Sequence, residues 1–171
     1  MGQITLVIGG ARSGKSAYAE RLTCAHSGTP IYIATSEPRD DEMRERIDLH
    51  VKRRGDDWVT VEERRELARV LRETDGQGPR LVDCLTLWLT NEMFAEGGDW
   101  RAGLDAICEA LRSQSSPVVL VTNEVGSGIV PEDAMTRAWR DAAGAMNQRV
   151  GDVADRVVLV VAGQALTIKG G

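Results

Sequence analysis

The amino-terminal segment of the chain combines an apolar run with closely spaced glycines, a lysine and a serine. Its last eight residues match the pattern Gly-x4-Gly-Lys-Ser and are Gly9, Gly10, Ala11, Arg12, Ser13, Gly14, Lys15 and Ser16. Glycines let a backbone turn so tightly that successive N–H groups point at one anion. In this pattern the lysine reaches the β- and γ-phosphates and the serine hydroxyl holds Mg²⁺. The segment therefore predicts a P-loop that binds a nucleoside triphosphate.

The residues on either side of this motif predict the strand and the helix that a P-loop requires. The run from Ile4 to Ile8 is typical of a buried strand, and a helix-compatible stretch follows from Lys15 to Ala25. The N-terminus of that helix would place its partial positive charge against the phosphates. Strand, loop and helix thus occur in the order that distinguishes a P-loop from a chance match in a glycine-bearing turn.

Composition limits the classes to which the protein can belong. A length of 171 residues suffices for one domain with a sizeable core and is too short for two full domains. The formal net charge of −5 disfavours nucleic acid as a partner. No apolar run is long enough for a transmembrane helix, and the amino terminus lacks the features of a signal peptide. We therefore expect a cytoplasmic protein without membrane insertion.

The cysteines and histidines offer few ligands for a zinc site. Cys24, Cys84 and Cys108 are widely spaced, and the two histidines of the chain are His26 and His50. All three cysteines occur in apolar or helical contexts. We expect them to be small buried side chains.

Strand and helix patterns alternate along the rest of the chain. Strands are predicted at 31–34, 58–61, 80–83 and 118–122, and helices at 40–54, 64–73, 85–94, 100–113 and 132–150. Residues 156–162 and 166–168, separated by Gly163 and Gln164, are typical of a closing hairpin. Since the strands lack polar alternation and helices join them, we predict an α/β fold with a mostly parallel sheet and helices on both faces.

Ligands of such sheets gather at the carboxyl ends of the strands. The segments 9–16, 35–37, 83–84 and 123–124 directly follow predicted strands, so we expect them to line one crevice. Mg²⁺ prefers a few oxygen ligands, which makes Ser16 and Asp83 the candidate metal ligands. Asp83 could also cap the helix that begins near Leu85.

A second acidic residue follows the strand predicted at 118–122. Glu124 competes with Asp83 for contact with a nucleotide, a metal or a substrate, or else stabilises the loop that it begins. The glycines at 126 and 128 make that loop a candidate lid or second phosphate cradle. A plain connection between strand and helix is an equally good interpretation.

His50 lies on the apolar stripe of the predicted helix at 40–54. A histidine in that position packs at the margin of a core, or it acts as a nucleophile, since neutral imidazole can attack phosphorus at pH 7. Lys52, Arg53 and Arg54 form a basic cluster beside it that suits a triphosphate. The residue pattern alone leaves both interpretations open.

Several blocks of the sequence, taken together, resemble one family. The blocks are 9–16, 32–36, 40–43, 46–47, His50, 87–91, 121–126, 128–131 and 147–149. In their residues and in their order these blocks are similar to the bifunctional adenosylcobinamide kinase / adenosylcobinamide-phosphate guanylyltransferase of cobalamin biosynthesis. They extend over nearly the whole chain. The P-loop is widespread, but its combination with Asp-Asp-Glu-Met at 40–43 and Thr-Asn-Glu-Val-Gly at 122–126 is highly specific.

The resemblance implies a two-step enzyme with a RecA-like P-loop sheet that assembles as a homotrimer. Such an enzyme phosphorylates adenosylcobinamide with ATP or GTP. It then carries GMP from GTP on a histidine to the new phosphate, which yields adenosylcobinamide-GDP and pyrophosphate. By motif position the histidine is His50. The implied nucleotide contacts are 9–16, Ala34, Thr35, Ser36, Val51, Lys52, Arg53, Arg54, Glu62 and Asp83.

Two positions differ from some members of that family. Leu49 precedes His50 where some members carry adjacent histidines, and Asp83 stands where some carry glutamate. Two other functions remain as alternatives: a monofunctional small-molecule P-loop kinase in which His50 is idle, and a RecA-like nucleotide-dependent binding module for nucleic acid or protein. An aromatic content of 4% disfavours stacking on single strands.

Overall fold

The computed structural model describes residues 1–36 and 57–170. Within these ranges the chain forms seven strands and five helices. The strands are β1 (Ile4–Gly9), β2 (Ile31–Ala34), β3 (Val59–Glu62), β4 (Arg80–Asp83), β5 (Val118–Asn123), β6 (Arg156–Val161) and β7 (Gln164–Lys169). The helices are α1 (Lys15–Cys24), α2 (Leu67–Glu73), α3 (Leu85–Phe94), α4 (Trp100–Arg112) and α5 (Ala134–Val153).

The strands form one sheet in the order β3-β2-β4-β5-β1-β6-β7. Neighbouring strands are parallel, except that β7 runs antiparallel to β6 and closes the sheet as a hairpin. β1 pairs with β5 on one side and with β6 on the other, so the strand that leads into the P-loop lies inside the sheet. The predicted α/β fold with a mostly parallel sheet and a carboxyl-terminal hairpin is confirmed.

Helices cover both faces of the sheet, because successive side chains of each strand point to opposite faces. Leu120 and Val82 pack in the larger core cluster, together with apolar residues of α2, α3, α4 and α5. Leu81 and Val119 face the other way, towards Ala19 of α1. Of the helices in the two described ranges, none is both long and apolar enough to cross a bilayer.

Some predicted element boundaries differ from the structure. α2 begins at Leu67 and not at 64, because the Glu63 carboxylate accepts the N–H groups of Arg65 and Glu66 and holds them in a turn. α5 begins two residues later than predicted because Asp133 is its N-cap and accepts the N–H of Thr136. The predicted helix at 40–54 lies outside the described residues.

The expectation that all three cysteines are buried is wrong for one of them. Cys84 and Cys108 are buried, but Cys24 is exposed. Cys24 is the last residue of α1, a helix that packs against the sheet along one side, where Ala19 and Thr23 are buried. Thr23 is buried, whereas Cys24, the next residue of the helix, is exposed. The apolar residues around Cys24 in the sequence therefore did not determine its exposure.

Hydrogen bonds from a buried guanidinium group stabilise the edge of the sheet at which β4 begins. Arg80 is fully buried, and it donates to the Asp75 carboxylate at 3.0 Å and to the Gln114 side-chain oxygen at 2.5 Å. The same carboxylate accepts the N–H groups of Ser115 and Ser116 at 3.0 Å. Burial alone would raise the pKa of Asp75, but these hydrogen bonds outweigh burial and lower the pKa to about 2.

Replacement of Asp75 by Asn should destabilise the protein in a pH-dependent way. In the folded protein the pKa of this carboxylate is lower than its ordinary value of 3.8, so its stabilisation is complete above about pH 5 and is lost as the pH falls towards 2. We expect Asp75→Asn to lose about 2 to 4 kcal/mol at pH 7, since it also leaves Arg80 without its buried partner. Urea unfolding from pH 3 to pH 7 measures the difference from the unmodified protein.

The control for this prediction is Glu109→Gln, which removes a carboxylate that is 82% exposed on α4. It should change the free energy of unfolding by about 0.5 kcal/mol or less. A difference between Asp75→Asn and the unmodified protein that stays constant down to pH 3 would contradict the assignment of the low pKa to Asp75.

Candidate functional site

The carboxyl ends of five parallel strands meet at one edge of the sheet. Gly9 at the end of β1 aligns with Asn123 at the end of β5. Ala34 at the end of β2 aligns with Glu62 of β3 on one side and with Asp83 of β4 on the other. The structure thus brings the segments that follow these strands to a common edge.

Strand order separates the candidate residues along that edge. β4 lies two strand spacings from β1, which is about 10 Å at the usual spacing of ~4.8 Å. β3 lies four spacings from β1, about 19 Å away. Asp83 is therefore close enough to act with the P-loop. Glu62 is exposed at the far end of the row, where it can contact only a part of a ligand that is remote from phosphates held by the loop.

The P-loop follows β1 and turns back on itself before α1. Arg12 and Gly14 both have positive φ angles, of 55° and 95°. The Ser13 N–H and the Lys15 ammonium group both donate to the Gly10 carbonyl, at 3.3 and 3.0 Å. Gly14 is the N-cap of α1 and has no side chain to accept the first N–H groups of the helix. A bound anion satisfies such groups.

Gly9 sits where a side chain would not fit. A Cβ there would lie 2.5 Å from the Val160 carbonyl oxygen of the neighbouring strand and 2.6 Å from the Ser13 hydroxyl oxygen. The Ser13 hydroxyl is buried, and it has no hydrogen-bond partner among the described residues. The first glycine of the motif is thus required for close packing of the loop against β6.

The turn between β6 and β7 supports the P-loop from the outside. Ala162 and Gly163 both have positive φ angles, as in a two-residue hairpin turn, and the Gly163 N–H donates to the Ser13 carbonyl at 2.9 Å. The carbonyl and the N–H of a trans peptide point in opposite directions. Holding the Ser13 carbonyl therefore sets the direction of the Gly14 N–H. Sequence reasoning found the hairpin but missed this contact.

Lys15 and Asp83 interact electrostatically across the sheet edge. Burial lowers the pKa of Lys15, and the charge of Asp83 acts in the opposite direction by favouring the ammonium form. Burial also raises the pKa of the Cys84 thiol to about 12, so Cys84 is neutral at pH 7. The half-buried Asp83 carboxylate is thus the anionic group that favours the charged form of Lys15 at neutral pH.

A threonine side chain ties the ends of β2 and β4 together. The Thr35 hydroxyl donates to the Cys84 carbonyl at 2.7 Å and accepts the Cys84 N–H at 2.8 Å. The Asn91 amide of α3 donates to the Thr35 carbonyl at 2.9 Å. The N-cap residue of α3 is Cys84, so the alternative in which Asp83 occupies the cap is wrong. Thr35 was expected among the nucleotide contacts, and it also shapes the backbone beside Asp83.

Glu124 supports the loop that it begins. Its carboxylate accepts the Gly126 N–H at 2.7 Å, and its own N–H donates to the Gly9 carbonyl at 3.1 Å. Behind it, Asn147 of α5 donates to the Asn123 carbonyl at 3.1 Å and accepts from the Thr122 hydroxyl at 2.7 Å. The interpretation of Glu124 as a loop-stabilising carboxylate therefore has a direct contact in the structure.

Five of the candidate residues lie outside the described part of the chain. They are His50, Val51, Lys52, Arg53 and Arg54. Their roles remain predictions. The residues that the structure brings together are the P-loop, Ala34, Thr35, Ser36 and Asp83, with Glu62 farther along the same edge.

Comparison with known protein families decides which of the possible P-loop functions applies. A family model described as cobinamide kinase / cobinamide phosphate guanyltransferase matches residues 5–168. The chain belongs to this family. It is therefore a bifunctional enzyme, and the resemblance found in the sequence is confirmed.

Three curated relatives are similar over nearly their whole length. The bifunctional adenosylcobalamin biosynthesis protein CobP of Pseudomonas aeruginosa is 43% identical over 168 residues, which cover 96% of each protein. The CobU proteins of Escherichia coli and Salmonella typhimurium are 41% and 44% identical, and each alignment covers 96% of this chain and 98% of the relative.

Solved structures support the fold at much lower identity. The P4 protein from bacteriophage phi6 in complex with ADP is 17% identical with a TM-score of 0.50, and a type III secretion system ATPase is 16% identical with a TM-score of 0.54. This chain is covered to 95% and 93%, and it spans about half of those proteins, 52% and 51%. The likeness is one of fold and confirms a RecA-like P-loop architecture.

Replacement of Gly9 by Ala should weaken nucleotide binding. The new methyl group would displace the Val160 carbonyl or the Ser13 side chain, and overpacking of this kind typically costs about 1 to 3 kcal/mol. We expect the Kd for GDP, measured by titration calorimetry, to rise at least about fivefold. Gly144→Ala on α5, where a Cβ meets nothing within 4 Å, is the matched control. Equal affinities for the two variants would contradict the proposed packing role.

Replacement of Thr35 by Val should destabilise the protein and loosen the site. The substitution keeps the shape of the side chain but leaves the buried Cys84 N–H and carbonyl without their partner, at a cost of about 2 to 3 kcal/mol. Thr60→Val, at an exposed position of β3, should be nearly neutral. Chemical denaturation of both variants compares them. A Thr35→Val protein as stable as Thr60→Val would show that the two strand ends do not depend on this tie.

Proposed function

We propose that the protein phosphorylates adenosylcobinamide with ATP or GTP and then transfers GMP from GTP to the new phosphate through guanylylated His50. The observation that carries the proposal is the P-loop at the carboxyl edge of the sheet, with Lys15 facing the charge of Asp83, in a member of this family. The remaining nucleotide contacts would come from Ala34 to Ser36, from Val51 to Arg54 and from Glu62.

The kinase step needs positioning and charge stabilisation more than strong base catalysis. The corrinoid hydroxyl oxygen attacks the γ-phosphorus, the bond from that phosphorus to the bridging oxygen breaks, and ADP or GDP leaves. The hydroxyl proton passes to solvent. Lys15 and the N–H groups of the P-loop stabilise the negative charge that grows on the departing nucleotide.

The residues beside the P-loop suit Mg²⁺ as a partner of the nucleotide. Mg²⁺ binds proteins through one or two oxygen ligands and completes its shell with phosphate oxygens and water. The Ser16 hydroxyl and the Asp83 carboxylate, both half-buried and both at the carboxyl edge, are the groups that would hold it. The ion would supply charge neutralisation on the phosphate oxygens.

The guanylyl transfer is a double displacement at the α-phosphorus. The neutral imidazole of His50 forms a bond to that phosphorus, and pyrophosphate leaves. The phosphate oxygen of adenosylcobinamide phosphate then attacks the same phosphorus, imidazole leaves, and adenosylcobinamide-GDP forms. Lys15 and the P-loop would steady the departing pyrophosphate, with Arg53 or Arg54 as additional cations. The same P-loop would then take part in the cleavage of two different bonds.

We also propose that the enzyme works in the cytoplasm as a homotrimer. The homotrimer is implied by the resemblance to the family, and the cytoplasmic location is the expectation drawn from the composition of the chain. The two alternatives from the sequence, a monofunctional kinase and a nucleotide-dependent binding module, differ from the proposal in what happens to the α-phosphate of GTP.

Incubation with GTP labelled at the α-phosphate should leave covalent label on the protein. The label should survive base and be lost in acid, as a phosphoramidate is. His50→Ala should abolish it while leaving the circular dichroism spectrum and the affinity for ATP unchanged. His26→Ala removes the other histidine, in the turn after α1, and should retain full labelling.

Other outcomes identify the competing functions. Transfer of γ-phosphate to cobinamide by a protein that never takes up the α-label would establish a monofunctional kinase. Nucleotide hydrolysis that is stimulated by nucleic acid, again without label, would establish the binding module. Label that persists in His50→Ala would move the nucleophile to another residue.

A further inference from the structure

The loop between β5 and α5, residues 124–133, exposes large apolar side chains next to the P-loop. Ile129 is 97% exposed and Val130 is 61% exposed, and Met135 in the first turn of α5 is 62% exposed. These three residues are called the apolar patch below. Exposed apolar side chains that occur singly need no explanation, whereas a group of them on one surface is typical of an interaction or ligand-binding site.

Hydrogen bonds hold both ends of the loop that carries the apolar patch. At its start the Glu124 carboxylate accepts the Gly126 N–H, and the Glu124 N–H donates to the Gly9 carbonyl. At its end the Arg137 guanidinium donates to the carbonyls of Pro131 and Glu132, at 2.9 and 2.6 Å. Hydrogen bonds thus hold the loop on either side of the exposed side chains, so their exposure is a feature of a defined conformation.

The apolar patch lies within reach of the phosphates of a bound nucleotide. Asn123 aligns with Gly9 at the carboxyl edge, and six peptide units separate it from Ile129. A chain of that length spans at most about 20 Å. An acceptor alcohol that reacts at the end of the triphosphate must place the rest of its structure within a similar distance.

A polar depression adjoins the same loop. It has a volume of about 530 Å³, and its lining includes Gly126 of the loop and Arg140, Asp141 and Gln148 of α5. These side chains can both donate and accept hydrogen bonds. The loop and the depression together offer apolar contact, amide recognition and proximity to the P-loop.

We propose that the β5–α5 loop and this depression receive the corrinoid substrate, with the macrocycle against the apolar patch and its carboxamide side chains towards the depression. The inference rests on the proposed function and adds the docking surface of the acceptor. A corrinoid matches the surface because its macrocycle carries methyl groups and its periphery carries carboxamides. Its size also demands a surface outside the nucleotide cradle.

The test separates corrinoid binding from nucleotide chemistry. The double variant Ile129→Ser/Val130→Ser should raise the KM for cobinamide in the kinase reaction, and its Kd by equilibrium dialysis, at least about tenfold. The KM for ATP and the covalent label from α-labelled GTP should stay within about twofold, because guanylylation of His50 needs no corrinoid. The variant Ile129→Leu/Val130→Leu keeps the apolar surface and should retain the KM of the unmodified protein.

The matched control is Ile168→Ser on β7. Ile168 is 61% exposed, like Val130, but it lies beside the beginning of β6, at the opposite edge of the sheet. This variant should leave the KM for cobinamide unchanged.

Three results would overturn the proposal. In the first, the KM and Kd for cobinamide are the same in Ile129→Ser/Val130→Ser as in the unmodified protein. In the second, labelling by GTP falls in parallel with cobinamide binding, which would assign the loop to the nucleotide. In the third, the molar mass measured by light scattering falls, which would make the apolar patch a contact between copies of this chain. An unmodified protein that binds cobinamide yet takes up no label would instead contradict the guanylyl-histidine step and leave the docking result standing.

Discussion

The approach of the Val160 carbonyl to Gly9 leaves no room for a side chain at the end of β1. A Cβ at that position would be 2.5 Å from the carbonyl oxygen. β1 is also hydrogen-bonded to a parallel strand on each side, so its end cannot shift without distorting β5 or β6. The P-loop therefore leaves the sheet at a fixed point. The first turn of α1 and the hairpin contact at the Ser13 carbonyl follow from that point.

The two ends of β4 have different roles, since the first end stabilises the sheet and the second end contributes to the candidate site. The strand is four residues long, with Arg80 at its beginning and Asp83 at its end. At the first end a fully buried guanidinium is held by a carboxylate, an amide and backbone carbonyls, and this network fastens the sheet. At the other end the carboxylate stays half-buried, where it can interact with Lys15 and with a nucleotide. A short, rigid strand thus carries the stable network and positions the reactive edge.

The same P-loop can serve both proposed reactions, because the leaving group of each reaction is a chain of phosphates. In the proposed kinase step the leaving group is a nucleoside diphosphate, and in the proposed guanylyl transfer it is pyrophosphate. Lys15 and the loop N–H groups would stabilise negative charge in either case. The proposed attacking groups differ, since one would be a corrinoid hydroxyl and the other an imidazole. The surfaces that present the acceptors must therefore lie outside the cradle, on loops such as the one that follows β5.

Much of the fold and part of the site could be predicted from the chain, because the signals are local. The glycine spacing of 9–16, the apolar run of β5 and the turn residues of the hairpin each depend on neighbours in sequence, and all three were confirmed. The limits of α2 and α5 were missed by a few residues because side-chain hydrogen bonds at Glu63 and Asp133 decided them. The exposure of Cys24 was missed because it depends on which side of α1 meets the sheet.

The sequence by itself determined that the protein is a P-loop enzyme of α/β class, and it indicated the family. Both conclusions depend on the spacing of the glycines and on the order of the family's sequence blocks, which are visible in the chain without a structure. Only the tertiary structure decided that β4 and β5 lie between β2 and β1, which sets Glu62 four strands away from Gly9. It also decided that the Gly163 N–H holds the Ser13 carbonyl, across 150 residues of sequence. Periodicity specifies which residues form a strand. The pairing of strands depends on packing across the whole core, which no local pattern contains.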